Sequence, residues 1–287
     1  MSVFQATDST VVVQDSIIQV GDSQVRVCGQ GLELVLMLQG WPDTWRAWER
    51  QVPALAPHFR CARLTLPGFD VTRPRRGHSL DEITDHLRAV ADALSPDRPV
   101  ILMQHDWGSF FGFQFAERHP ERVSRIVAID VGDAHSGEFR RGLGARAAAL
   151  IAGYQLWLTL AWRLHPLAPR LADRMTRWMA RTMGCRAEPA LIGAVMNYPY
   201  DITWTGSHGG YRGLPRLAPH CPLFYAWGRH KPVQFQSRGW LERMAAEPAN
   251  RVMAFDSGHW VMQQRAADFN AAVLVGWLLG PVPAPER

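Results

Sequence analysis

Lysine is almost missing from this 287-residue sequence: of 31 basic side chains one, Lys231, is lysine and the rest are arginine. The net charge of +5 therefore comes with a compositional skew and without any recognised RNA- or DNA-binding motif, which argues against nucleic acid as the partner. Cysteine is scarce too. Cys28, Cys61, Cys185 and Cys221 show no CxxC or ligand spacing, which excludes a disulfide scaffold or a thiolate metal centre and fits free thiols in a cytoplasmic protein. The dispersed histidines likewise imply no metal, and nothing implies a cofactor. No charged segment followed by an apolar run opens the chain, so no signal peptide is expected. The most apolar stretch, Ala147 to Trp162, is bracketed by Arg146 and Arg163 and falls short of the roughly 20 residues a bilayer crossing needs. It reads as a helix over an apolar pocket. Arginines recur from Arg140 to Arg186; a solvated helical face is the plain reading, attraction of an anionic substrate or acidic partner the alternative.

What the sequence does contain is concentrated in Gln104-His105-Asp106-Trp107-Gly108. This segment ends the apolar run from Val100 to Met103 and opens an amphipathic helix from Ser109 to Arg118. A strand, a sharp turn and a helix form a nucleophile elbow, which holds one side chain above the carboxyl edge of a sheet. That side chain is Asp106. A carboxylate ionised at neutral pH attacks an sp3 carbon bearing oxygen or halogen without prior deprotonation, and leaves an alkyl ester. An acidic helix N-cap would use the same residue type, but Asp106 has company. The strand 33–38 ends in Gln39-Gly40-Trp41-Pro42-Asp43, a loop able to aim the Trp41 N–H at the oxyanion that the Trp107 N–H would also serve. A strand at 60–66 runs into Pro67-Gly68-Phe69, and a strand at 251–255 leads to His259, giving the chain order nucleophile first, histidine last.

These motifs, HDWGS, GWPD, LPGF and GHW, resemble the epoxide hydrolase and haloalkane dehalogenase branch of the α/β-hydrolase superfamily, over residues 24 to 279. The resemblance implies an α/β fold with a mostly parallel sheet and an inserted helical cap. The core is expected at 1–133 and 217–287 and the cap at 134–216, where helical stretches replace the strand–helix alternation. Further strands are expected at 124–129 and 222–226, and a closing amphipathic helix from Gln263 to Leu279.

Against the family pattern, the acid that orients the histidine is displaced. Most epoxide hydrolases carry it in the loop after the strand 222–226, where this chain offers Lys231. In a dehalogenase subgroup the acid ends the strand after the nucleophile helix, which here points to Asp130, with Asp133 close behind; turn chemistry around Gly132 would also use both. Gln104 replaces the small residue that usually begins the elbow, and Gln39 replaces the histidine before Gly40; Gln39 is expected near the substrate together with Tyr198 and Trp260.

The resemblance also implies two cap tyrosines hydrogen-bonded to the epoxide oxygen. Tyr154 matches the first; Tyr200 is chosen over Tyr198 for the second, Pro199 leaving the two nearly tied, and both could instead be amphipathic pocket wall. For a halide, Trp107 and a second indole from Trp157, Trp162 or Trp178 would be needed. The expected function is opening of a small apolar epoxide to a vicinal diol through an ester on Asp106 that His259-activated water hydrolyses. Alternatives are haloalkane dehalogenation, a biosynthetic ring-opening or cyclising enzyme, or a ligand receptor on the same scaffold; a homodimer is possible.

Overall fold

The computed structural model describes residues 14–214 and 217–280. The start of the expected core, the cap boundary at 216 and the Pro-rich tail lie outside these residues. Eight strands form one sheet in the order β1-β2-β4-β3-β5-β6-β7-β8, comprising β1 Ser16–Val20, β2 Ser23–Cys28, β3 Leu34–Leu38, β4 Arg60–Leu64, β5 Val100–His105, β6 Val123–Ile129, β7 Leu223–Gly228 and β8 Arg251–Phe255. The pairs β1·β2 and β2·β4 are antiparallel and the remaining five are parallel. Strands β3 and β5 are buried throughout because helices cover both faces, so they read as continuous apolar runs rather than alternating ones. Alternating side chains feed two cores: Leu36, Leu38 and Leu102 on one face, Val35, Met37, Ile101 and Met103 on the other.

The helices are α1 Val52–Leu55, α2 Leu80–Leu94, α3 Trp107–Arg118, α4 Gly137–Gly142, α5 Ala145–Leu164, α6 Pro169–Thr182, α7 Tyr198–Thr205, α8 Arg238–Ala246, α9 Val261–Gln264 and α10 Ala266–Asn270. Helix α2 begins with a reciprocal capping box between Ser79 and Glu82, satisfying two backbone N–H groups that would otherwise lack partners. Helices α4 to α7 all fall between β6 and β7, with no strand among them. The expected closing helix 263–279 is a broken one: α9 stops at Arg265, whose guanidinium donates to the Asp256 carbonyl and carboxylate, and after α10 the chain widens into a π-helix, Ala271–Leu278. The wider turn keeps Val273, Leu274 and Leu278 against the sheet.

Close packing of α3 on the sheet explains the glutamine in the elbow. A Cβ on Gly108 would run into the Leu38 carbonyl, and one on Gly112 would overlap the Gln104 amide oxygen. Gly112 thus supplies the space that a small residue at 104 would ordinarily provide. The Gln104 amide is buried with no hydrogen-bond partner among the described residues.

Helix propensity alone makes Gly→Ala favourable by about 1 kcal/mol in a helix interior. Gly112→Ala is expected to destabilise instead, and in the Gln104→Ala background the same change should become neutral or stabilising. Urea midpoints of the four proteins in this cycle measure the coupling; equal effects of Gly112→Ala in both backgrounds would refute the packing account.

Candidate active site

Asp106 stands at the end of β5 with φ 54° and ψ −124°, a left-handed region that a non-glycine residue occupies only when its surroundings enforce it. Its carbonyl accepts from the N–H groups of Ser109 and Phe110, fastening the elbow to α3. Gly40 lets the loop after β3 come close, since a Cβ there would collide with the Asp106 carboxylate and the Trp107 amide. The Trp41 N–H consequently donates to Asp106 Oδ1 at 2.7 Å. The Trp107 backbone amide lies beside the same carboxylate, next to Gly40, and favours its charged form.

His259 lies across from Asp106, with Nε2 3.3 Å from Oδ2, while Nδ1 is hydrogen-bonded to Asp130 Oδ2. Asp130, itself at φ 69° just beyond β6, is fully buried. Its other oxygen accepts the Gly228 N–H at 3.0 Å and is ion-paired with the Lys231 ammonium at 2.5 Å. Lys231, which stands where the resemblance leads one to expect an acid, is therefore the counter-cation of Asp130. Asp133 does not approach the histidine. Its carboxylate accepts from the Ser237 N–H and the hydroxyls of Ser136 and Ser237, tying together the starts of α4 and α8.

Burial pushes each charge in this row toward neutrality, and the neighbours push back. Asp106 would rise on burial, yet its hydrogen bond and charge interaction with His259, then His105 and the Trp107 amide, bring it below its ordinary value. For Asp130, burial is outweighed by Lys231, His259 and the Gly228 N–H. His259 would fall on burial, but Asp130 and Asp106 raise it to about 9. Under the histidine, His105 is buried, lowered to about 3, with Nε2 3.1 Å from the His259 carbonyl. A neutral ring with its proton on Nε2 donates there and holds the His259 loop.

A cavity of about 450 Å³ opens above Asp106. Trp107, Tyr154 and Tyr200 line it, with Phe110, His135 and Arg140 among the residues completing the wall. Burial raises the phenol of Tyr154 above its ordinary value and that of Tyr200 well above it, so both hydroxyls stay protonated. The ring of Tyr200 stands edge-on to those of Trp41, Trp107 and Tyr154. His135, lowered to about 4 chiefly by burial, lies 4.2 Å ring to ring from Phe110. The sequence reading missed it, as it missed Phe110, because neither lies in a motif.

Three expected substrate contacts are displaced from this cavity. Gln39 is fully buried, and with its amide oriented to donate to the Leu64 carbonyl (2.8 Å) and accept the Leu66 N–H (2.9 Å) it bridges the ends of β3 and β4. Tyr198 packs between Phe69, His78 and Trp162 on the far side of its helix start, leaving Tyr200 as the tyrosine that lines the cavity. Trp260 gives its indole N–H to Asp43 at 2.7 Å, joining the oxyanion loop to the histidine loop. None of the three tryptophans suggested as a second halide donor lines the cavity: Trp157 donates to the Met175 carbonyl, Trp162 lies under the Arg75 guanidinium, and Trp178 faces outward.

Comparison with known proteins agrees with the fold. Residues 33–266 match the model of the α/β-hydrolase fold family. The chain belongs to that family. Among its relatives, epoxide hydrolase 1 of Caenorhabditis elegans is 31% identical over 38% of this chain, a match spanning about a quarter of that protein (27%). A soluble epoxide hydrolase of Corynebacterium is 34% identical over 36% of each chain. The cis-3-alkyl-4-alkyloxetan-2-one decarboxylase of Xanthomonas campestris pv. campestris is 26% identical over 81% of this chain and 84% of its own. A Bacillus megaterium epoxide hydrolase in complex with its diol product superposes with a TM-score of 0.66, covering 89% of this chain and 97% of that one at 20% identity, which speaks for a shared fold.

Because His259 is raised to about 9 by its carboxylate partners, it should stabilise the fold fully below its ordinary value of 6.5, with that contribution lost as pH rises through 9. Removing Lys231 leaves Asp130 a stronger partner for the imidazolium. Lys231→Met is expected to move the His259 titration to higher pH, read by NMR of the imidazole; an unchanged or lowered value would show that the ammonium does not act through Asp130.

Proposed function

We propose that this enzyme opens an epoxide to a vicinal diol through an ester on Asp106. The observation that carries the reading is the Asp106 carboxylate held by the Trp41 amide, with the Trp107 amide beside it, at the floor of a cavity, the His259–Asp130 pair behind it and two protonated phenols in the cavity wall. Oδ1 is held at 2.7 Å by the Trp41 N–H, whereas Oδ2 has only the longer 3.3 Å contact to His259 Nε2, so Oδ2 is the oxygen that attacks the epoxide carbon. The C–O ring bond breaks, and the departing alkoxide takes hydrogen bonds and then a proton from Tyr154 and Tyr200.

Ester formation removes the Asp106 negative charge. His259 then loses one of the two carboxylates that keep it protonated, and its pKa falls toward the range in which a neutral imidazole accepts a proton from water. The resulting hydroxide adds to the ester carbonyl carbon, Oδ1 becomes the oxyanion, and the Trp41 and Trp107 amides stabilise it. Collapse releases the diol and restores the carboxylate. The proton that His259 gives up after ester formation restores the phenol that protonated the alkoxide, the proton it then takes from water regenerates the imidazolium, and the hydroxyl proton of the tetrahedral intermediate passes to the departing alkoxide, so that epoxide plus water balances diol.

One comparison supports a second reading on the same nucleophile. The relative that aligns along most of this chain acts, by its name, on an oxetan-2-one, a four-membered lactone that also offers an sp3 carbon bonded to oxygen. That reaction would yield an alkene and carbon dioxide and consume no water. Supplying the enzyme with both substrate types and measuring diol against carbon dioxide separates the readings. The dehalogenase reading needs a second N–H donor beside Trp107, for which Trp204 and Gln155 line the cavity, and halide release from a bromoalkane measured alongside the two substrates separates it.

His259→Gln should trap the ester, because alkylation of Asp106 needs no base whereas hydrolysis does. Intact mass after incubation with an epoxide should rise by the full mass of the substrate, and Asp106→Asn should show no early adduct; unmodified His259→Gln protein at saturating epoxide would overturn the mechanism.

Tyr154→Phe should slow ester formation by roughly tenfold or more, the loss expected on removing one of two transition-state hydrogen bonds. Single-turnover kinetics read this step. A rate within twofold of the unaltered enzyme would remove Tyr154 from the reaction.

A further inference from the structure

Helix α5 is more apolar than its burial requires. Of its twenty residues only Leu158, Thr159, Ala161 and Trp162 are fully buried, yet leucines, alanines and aromatics run around its whole circumference. One side, carrying Ala148, Ile151, Ala152 and Gln155, lines the cavity above Asp106. Around the helix from that side, Leu156 and Leu160, spaced one helical turn apart, reach solvent, with Leu160 55% exposed. Leu167, in the turn to α6, is 86% exposed. On α6, Leu171, Arg174, Trp178 and Arg181 share a face by their three- and four-residue spacing, and Trp178 is 54% exposed while its ring lies 5.1 Å from that of Trp157 on α5. These side chains make one outward-facing apolar strip across both helices. An exposed strip of this kind marks a binding surface.

Charge decides what binds there. Residues 139–187 contain nine arginines and a single acid, Asp173, whose carboxylate is taken by Arg177 and the Ala194 N–H. Arg163 is ion-paired with Asp201, but Arg146, Arg170, Arg174 and Arg181 have no acidic partner among the described residues and are exposed around the strip. A second copy of this chain seated on the same face would bring arginines against arginines, which a two-fold contact penalises. An anionic bilayer surface is complementary on both counts, taking leucine and tryptophan into the interface while its headgroups pair with the guanidinium ring. No helix among the described residues is long and apolar enough to cross a membrane, so the contact would be one of lying on the surface.

We propose that the outer face of α5 and α6 docks this enzyme on an anionic lipid bilayer. Docking would place the helix that roofs the cavity against the phase in which apolar substrates accumulate. The contact does not depend on which reaction Asp106 performs.

Flotation with vesicles of equal parts phosphatidylglycerol and phosphatidylcholine tests this, against vesicles of phosphatidylcholine alone and against analytical ultracentrifugation without lipid. The full chain should float with the anionic vesicles, be released by 0.5 M salt on the order of the screening expected when the Debye length drops below about 5 Å, and stay in solution with phosphatidylcholine alone. Leu156→Ser/Leu160→Ser and Arg170→Glu/Arg174→Glu should each reduce the bound fraction by roughly tenfold, with thermal midpoints unchanged, because both the apolar and the basic parts contribute. The proposal is overturned if the protein ignores anionic vesicles, binds both compositions equally, or binds as well after both double substitutions. It is also overturned if a concentration-dependent dimer forms that Leu156→Ser/Leu160→Ser abolishes, since the face would then belong to a second copy.

Discussion

Four charges of alternating sign run from the cavity floor into the protein: the Asp106 carboxylate, the His259 imidazolium, the Asp130 carboxylate and the Lys231 ammonium. Isolated in this interior each would be costly, and removing one partner of a buried pair typically costs 3–5 kcal/mol. Arranged in a row they compensate one another. The loops that carry them are therefore bound together by the same interactions that prepare the reaction: the elbow after β5, the turn after β6, and the loops after β7 and β8 cannot move apart without separating opposite charges. The Gly228 N–H on Asp130 and the His105 contact to the His259 carbonyl add hydrogen bonds that satisfy what the charges leave over.

The relocation of the acid changes how the histidine is held. With the acid at the end of β6 rather than β7, the β7 loop is free to carry a cation, and Lys231 uses that freedom to neutralise Asp130 from the side away from His259. A carboxylate shared between two cations holds each less tightly than it would hold one. In the proposed reaction the imidazole is protonated beside free Asp106 and neutral beside the ester, and the weaker grip leaves the difference between the two states to be set chiefly by the charge on Asp106. The buried phenols complement this. Their raised pKa values keep both phenols protonated in the free protein.

Around this row the packing is tight in some places and open in others. Gly40, Gly108 and Gly112 let backbone and glutamine approach where any Cβ would intrude, which fixes the elbow. Asp43 and Trp260 link two loops from opposite ends of the chain, and Asn197 accepts the Trp41 indole N–H, linking the oxyanion loop to the helices above. Those helices are tied down on their inner side, whereas the outer side of α5 and α6 is left apolar and basic.

The sequence by itself determined the order of the elements and marked out the candidate reacting groups. Runs such as Leu34–Leu38 and Val100–His105 are short, apolar and closed by Gly or turn residues, so buried strands follow from composition and length alone. Asp106 and His259 were legible because a strand edge and a sharp turn leave a local pattern. Tertiary structure decided the rest, since it depends on distances between residues far apart in the chain. Asp130 and Asp133 are equivalent as turn residues; only the approach of the β8 loop to one and of α8 to the other distinguishes them. Tyr198 and Tyr200 differ by two residues, yet helical rotation sends one into the core and the other into the cavity. Gln39 and Trp260 sit in motifs at the cavity's edge and face away from it, His135 lines it from outside any motif, and Lys231 looked like a lost acid until the fold brought it to the acid's new position.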